Sequence, residues 1–156
     1  MIQKETAMTN VTLAPLTEAE TRQFVDEWYK KLDVHAPAEE VFPLVADEDL
    51  EMQFPEATLR GKTDFKNWYE GVINIFFDEV HTLEKVDITT TLEQASVQIV
   101  LLWEASRWKR PAPKSERLAF TAVQTWILKR SPSSQKPVIV RYIVDSLTPL
   151  EGYPEL

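Results

Sequence analysis

The chain has 156 residues, enough to bury a sizeable core in one domain, and its 44% hydrophobic and 27% charged content is that of a globular rather than a disordered protein. Seventeen Lys and Arg against 25 Asp and Glu leave a net charge of −8, which repels nucleic acid and anionic membrane surfaces, so neither is expected as a partner. With no cysteine there is no disulfide, thiol nucleophile or thiolate metal site; two histidines, His35 and His81, with no HExxH spacing leave no metal or other cofactor to expect.

Residues 1–16 carry no signal-length apolar run and no sustained period, and Pro15 closes them, so they read as a flexible arm. No stretch approaches the ~20 apolar residues of a membrane span, and a cytoplasmic location is the default expectation. Residues 17–150 read as one domain and 151–156 as a tail.

Thr17 and Glu20 fit a capping box, in which hydroxyl and carboxylate each satisfy an orphan backbone N–H, and a helix is predicted from there. Phe24, Trp28 and Leu32 follow at helical spacing with Val25 and Tyr29 beside them, giving a strongly aromatic face. Pro37 suits the first turn of a second helix, which Pro43 should kink or shorten. Asp47, Glu48 and Asp49 end that segment, Leu50 to Phe54 reads as a short strand, Gly61 turns the chain, and a helix restarts at Thr63. In it Phe65, Trp68, Tyr69, Val72, Ile73 and Phe76 share one face.

From Glu79 the period changes to two, predicting strands at about 79–90, 95–106, 117–130 and 137–148. Val97, Ile99, Leu101 and Trp103 share one face of the second strand, and Gln98, Val100, Leu102 and Glu104 the other. Apolar residues on both faces predict that both are covered, and the outer contact is expected to be a second copy, a homodimer through the sheet. The loop from Ser106 to Glu116 is the one basic concentration; it reads as a solvated hairpin tip or as a guide for an anionic ligand.

The order helix, short helix, short strand, turn, long helix and four antiparallel strands, with VADEDLEMQF, RGKTDFKNWYEGV, VQTWILKR and VRYIVDSLTP, resembles the nuclear-transport-factor-two-like superfamily, and in particular its SnoaL-like members, over Thr17 to Pro149. The resemblance implies a cone-shaped α+β barrel, with three helices packed on a strongly curved antiparallel sheet around a cavity. Relatives include polyketide cyclases, ketosteroid isomerases, scytalone dehydratases and non-catalytic modules, so the fold leaves the function open.

The resemblance places Trp28, Gln53 and Gln124 where ketosteroid isomerases keep a Tyr, a base Asp and a protonated Asp. An amide cannot abstract a proton, so that chemistry is not expected from these residues. A one-residue slip would bring Met52 or Phe54 to the Gln53 position. His81 stands where scytalone dehydratases keep a catalytic His, and it is the side chain able to exchange protons near neutral pH. Asp145, in RYIVDSL, is a reserve acid, although alternation sets it opposite Tyr142. Trp28, Gln53, Trp68, Gln124 and Tyr142 are the expected ligand-binding set, lining a neutral cavity for a small apolar or aromatic molecule.

Three functions stay open: a small-molecule binder, a lyase, isomerase or cyclase using His81, and a dimerising module with a filled interior. An open cavity with His81 beside an acid would favour the enzyme.

Overall fold

The computed structural model describes residues 13–156, so most of the expected arm, residues 1–12, lies outside the described residues. The arm's remaining end is anchored: Leu16 is buried, and the Arg130 guanidinium donates to the carbonyls of Ala14 and Pro15. Thr17 caps the first helix, α1 (Glu18–Asp33), its hydroxyl accepting from the Glu20 N–H at 3.0 Å. The Glu20 carboxylate also takes two hydrogen bonds from Arg130, at 2.7 and 3.0 Å, which ties the start of α1 to the end of a strand.

The second helix is short, as Pro43 requires: α2 (Ala38–Val41) passes at once into a 3-10 turn over Phe42–Leu44. Next come β1 (Glu51–Gln53) and β2 (Thr58–Arg60), a hairpin closed by reciprocal hydrogen bonds between Phe54 and Ala57. The sequence shows no β2, because three residues are too few for alternation to register. The long helix α3 (Gly61–Ile75) therefore begins directly after β2, two residues before the expected Thr63, with Gly61 at φ +83° making the corner.

β3 (Phe76–Thr90), β4 (Ala95–Arg107), β5 (Glu116–Arg130) and β6 (Pro137–Pro149) then form an antiparallel meander. β1 joins β6 in parallel, so the six-stranded sheet is mixed, in the order β2-β1-β6-β5-β4-β3. Among the described residues, three helices lie with this curved, mostly antiparallel sheet, the architecture anticipated from the sequence.

Alternation sorts the sheet's two faces. Val97, Ile99 and Leu101 of β4, and Ala122, Gln124, Trp126 and Leu128 of β5, turn inward and are buried. They meet Val25, Trp28 and Tyr29 of α1 and Phe65 and Tyr69 of α3 in one continuous core. Fully burying one such large side chain contributes about 1.5–3 kcal/mol, and the rings make edge contacts, as between Trp28 and Trp126 at 5.9 Å, that add to area burial.

Candidate active site

Two elements meet at the decisive position. Asp33 is the last residue of α1, four residues beyond Tyr29 and so on its face, while His81 stands on β3, an edge strand of the sheet. The Asp33 carboxylate accepts from both ends of His81: Oδ1 lies 2.6 Å from ring Nδ1, and Oδ2 accepts from the backbone N–H at 3.2 Å. An ionised carboxylate can only accept, so Nδ1 carries the hydrogen of that contact, and in the neutral imidazole Nε2 then holds the lone pair. The Tyr29 ring at 4.9 Å and the Trp103 ring at 6.5 Å flank the imidazole and fix its plane.

His81 lines a cavity of about 130 Å³ between helix and sheet. Its apolar walls come chiefly from Leu32, Trp68, Val72, Ile73, Leu101 and Val144, and its polar atoms from Glu79, His81, Gln124 and Tyr142. Phe54 and Trp68 stack at 4.4 Å on one side. Leu156 of the tail reaches the same cavity, and the Arg107 guanidinium holds that tail by donating to the Glu155 carbonyl at 2.8 Å.

Gln124 is oriented by its neighbours. Its Oε1 accepts from the Tyr29 hydroxyl and, at 3.1 Å, from Trp126 Nε1, so the acceptor end is occupied and the NH2 group remains to donate. Burial pushes the Tyr142 hydroxyl up to about 12, with hydrogen bonding from Trp28, Tyr29 and Gln124 working the other way. Burial likewise raises Tyr29 well above its usual 10.0. Both hydroxyls therefore stay protonated donors across the neutral range.

Of the residues singled out from the sequence, His81, Trp68, Gln124 and Tyr142 come together on this cavity. Three do not. Gln53 is exposed and donates to Glu51 Oε2 at 2.8 Å, because β1 alternation turns Met52 inward instead; the neighbouring Phe54 reaches the cavity. Trp28 is wholly buried among Phe65, Trp126 and Tyr142, behind the cavity wall. Asp145 is exposed on the outer face, accepting from Thr125 Oγ1 at 2.6 Å, since β6 alternation sets it opposite the inward Tyr142.

The basic loop divides as well. Arg107 is buried and donates to Glu116 at 2.5 Å, and Arg117 donates to the Asp78 carbonyl, while Lys109, Arg110 and Lys114 face solvent. Sequence reasoning missed Asp33 and Glu79. The signal for Asp33 was its i, i+4 relation to Tyr29, and that for Glu79 its i, i+2 relation to His81.

No family model matches the sequence, and no curated protein matches it. Solved structures do. A protein assigned as a scytalone dehydratase from Novosphingobium aromaticivorans superposes with a TM-score of 0.69 at 17% identity, over 83% of this chain and 85% of its own. A hexachlorocyclohexane dehydrochlorinase from Novosphingobium barchaimii gives 0.68 at 12%, over 88% and 92%. A nuclear-transport-factor-two-like superfamily protein from Salmonella enterica gives 0.66 at 14%, over 91% and 92%. The chain has the nuclear-transport-factor-two-like fold, as its sequence pattern indicated.

Proposed function

We propose that the protein is a lyase that abstracts a proton from carbon in an aromatic-lined cavity, with His81 as general base and Asp33 as the residue that positions it. The observation that carries this reading is the doubly held imidazole: two contacts from one carboxylate fix tautomer and ring, leaving Nε2 for the substrate. In the reaction Nε2 takes a proton from the carbon beside a carbonyl, and the C–H electron pair moves through the new enolate onto oxygen. The Gln124 amide and the Tyr142 hydroxyl are donors for that oxygen. Return of the pair forms the C=C bond and expels a β-substituent. Two structural neighbours, the dehydratase and the dehydrochlorinase, carry names that denote eliminations, which supports the class without fixing the substrate.

Hydrogen–deuterium exchange at C2 of 1-tetralone, followed by NMR, needs only the base. The wild type should accelerate exchange over buffer, and His81→Gln should lose about 10²-fold or more of that rate. Equal exchange by His81→Gln and the wild type would sink the reading, as would a wild type no faster than buffer. Binding of a small aromatic molecule without turnover is the second reading, and the stacked walls of Phe54 and Trp68 favour it.

A further inference from the structure

Glu79 is the buried carboxylate among the cavity's lining residues, and this reaction leaves it unused; Glu56, which also lines the cavity, is exposed. Its side chain is only 5% exposed, and a carboxylate so deep in apolar surroundings is costly unless paired. It is paired twice: Oε2 lies 2.6 Å from His35 Nε2, and Oε1 accepts from Trp103 Nε1 at 3.0 Å. Trp103 is also the cross-strand partner of His81.

We infer that Glu79, backed by His35, is a second catalytic group of this cavity, the one that delivers a proton to the departing oxygen of a β-hydroxy ketone. The inference rests on the lyase reading and assigns it a substrate class.

One backbone irregularity aims both groups. Phe77 pairs with Ser106 and Val80 with Glu104, so Asp78 and Glu79 together face the single residue Ala105, a β-bulge with Asp78 at φ +52°. Continued alternation from the inward Phe76 would point Asp78 and Val80 into the barrel; the extra residue makes Glu79 and His81 the inward pair instead. On one strand face two residues apart, their Cα atoms stand about 7 Å from each other. A substrate held against that face can turn a hydrogen on one carbon to His81 and a hydroxyl on the next to Glu79.

The two His–carboxylate pairs run in opposite order. In one the imidazole faces the cavity and Asp33 stands behind it; in the other Glu79 faces the cavity and His35 stands behind. His35 is 25% exposed, and its Nδ1 has no hydrogen-bond partner among the described residues, so it meets water. A proton can pass from water to Nδ1, from Nε2 to Glu79, and from Glu79 to the cavity.

The full step balances. His81 Nε2 gains the carbon proton, the C=C bond forms, and the C–O bond breaks with its electron pair on oxygen. That oxygen takes the proton from Glu79 and leaves as water. His35 replaces the Glu79 proton from solvent, and His81 returns its own to solvent when the product departs.

The test compares two probes on the same protein: 1-tetralone exchange, which needs the base alone, and dehydration of 3-hydroxy-1-tetralone to 1-naphthol, which needs base and acid. Glu79→Gln keeps the size of the side chain and its contact with Trp103. It should lower the ratio of dehydration to exchange by about 50-fold or more, and His35→Gln should lower it in the same direction by less. An unchanged ratio in both variants, with melting temperatures near the wild type, overturns the inference while leaving the base in place. Should Glu79→Gln unfold, the His35→Gln ratio decides alone. Loss of wild-type exchange would overturn the lyase reading and this inference together.

Discussion

At the scale of single residues, the site depends on which atoms are already occupied. Gln124 is a donor because two other donors fill its oxygen, and the proposed reaction uses Nε2 of His81 because Asp33 fills Nδ1. The buried tyrosines carry a consequence for pH. Burial lifts Tyr69 to about 12, with the charges of Glu79 and Glu40 adding to it, and burial also lifts Tyr142 to about 12. A phenol whose folded value is raised contributes stability that is whole below the usual 10.0 and is lost as pH climbs toward the folded value. Unfolding free energy should therefore fall by roughly 1.4 kcal/mol per tyrosine for each pH unit in that interval. Urea unfolding at intervals from about pH 8 upward measures it; stability flat through the alkaline range would contradict the buried, protonated phenols. Trp68 and Gln124 were legible in the sequence because helical spacing and alternation point them inward, whereas His81 and Tyr142 were placed by the family resemblance, the bulge that turns His81 inward leaving no trace in the local pattern. Gln53 was misplaced by one residue of β1, and Trp28 was misassigned because spacing alone cannot tell a core ring from a wall ring. Asp33 was hidden for a different reason: its partner lies 48 residues away, across a helix–strand contact that no local period records.

Among the elements, the corner at Gly61 and the bulge at Asp78 matter most, since they join β2 to α3 and turn β3 inward. Gly61 sits at φ +83° with nothing within 4 Å of where a Cβ would stand, so a substitution there meets conformational strain and no clash. Gly61→Ala should cost about 1–2 kcal/mol. Denaturant unfolding measures that loss, and a variant as stable as the wild type would show that the corner relaxes. Strand and helix order was legible because long amphipathic segments impose their period: β4 is predicted at about 95–106 and found at Ala95–Arg107. The bulge was not legible, since Asp78 reads like any polar residue at a strand start, and its left-handed conformation follows from how β3 pairs with β4.

Across the whole molecule, the outer face of the sheet stays partly open. Val100 stands opposite Val123 and Ile143 opposite Thr125, all half-buried, so an apolar band crosses β4, β5 and β6. We propose that a second copy covers it, giving a homodimer. Light scattering at micromolar concentration should return twice the chain mass, and Val123→Lys should return the mass of one chain. A wild type of single-chain mass would remove the proposal.

The Asp33 contact has a second effect, on aggregation. β3 lies at the edge of the sheet, and an edge offers bare amide groups to any strand that drifts past. The backbone N–H of His81 points to that open side and is taken by a carboxylate from α1. The bulge at Asp78 and the register shift between Leu83 and Lys85 break the rest of the edge into short pieces. The residue that holds the His81 ring in position thus also keeps its strand from recruiting a foreign one, and Asp33→Asn would weaken a guard against β-aggregation as well as the geometry on which the proposed reaction rests.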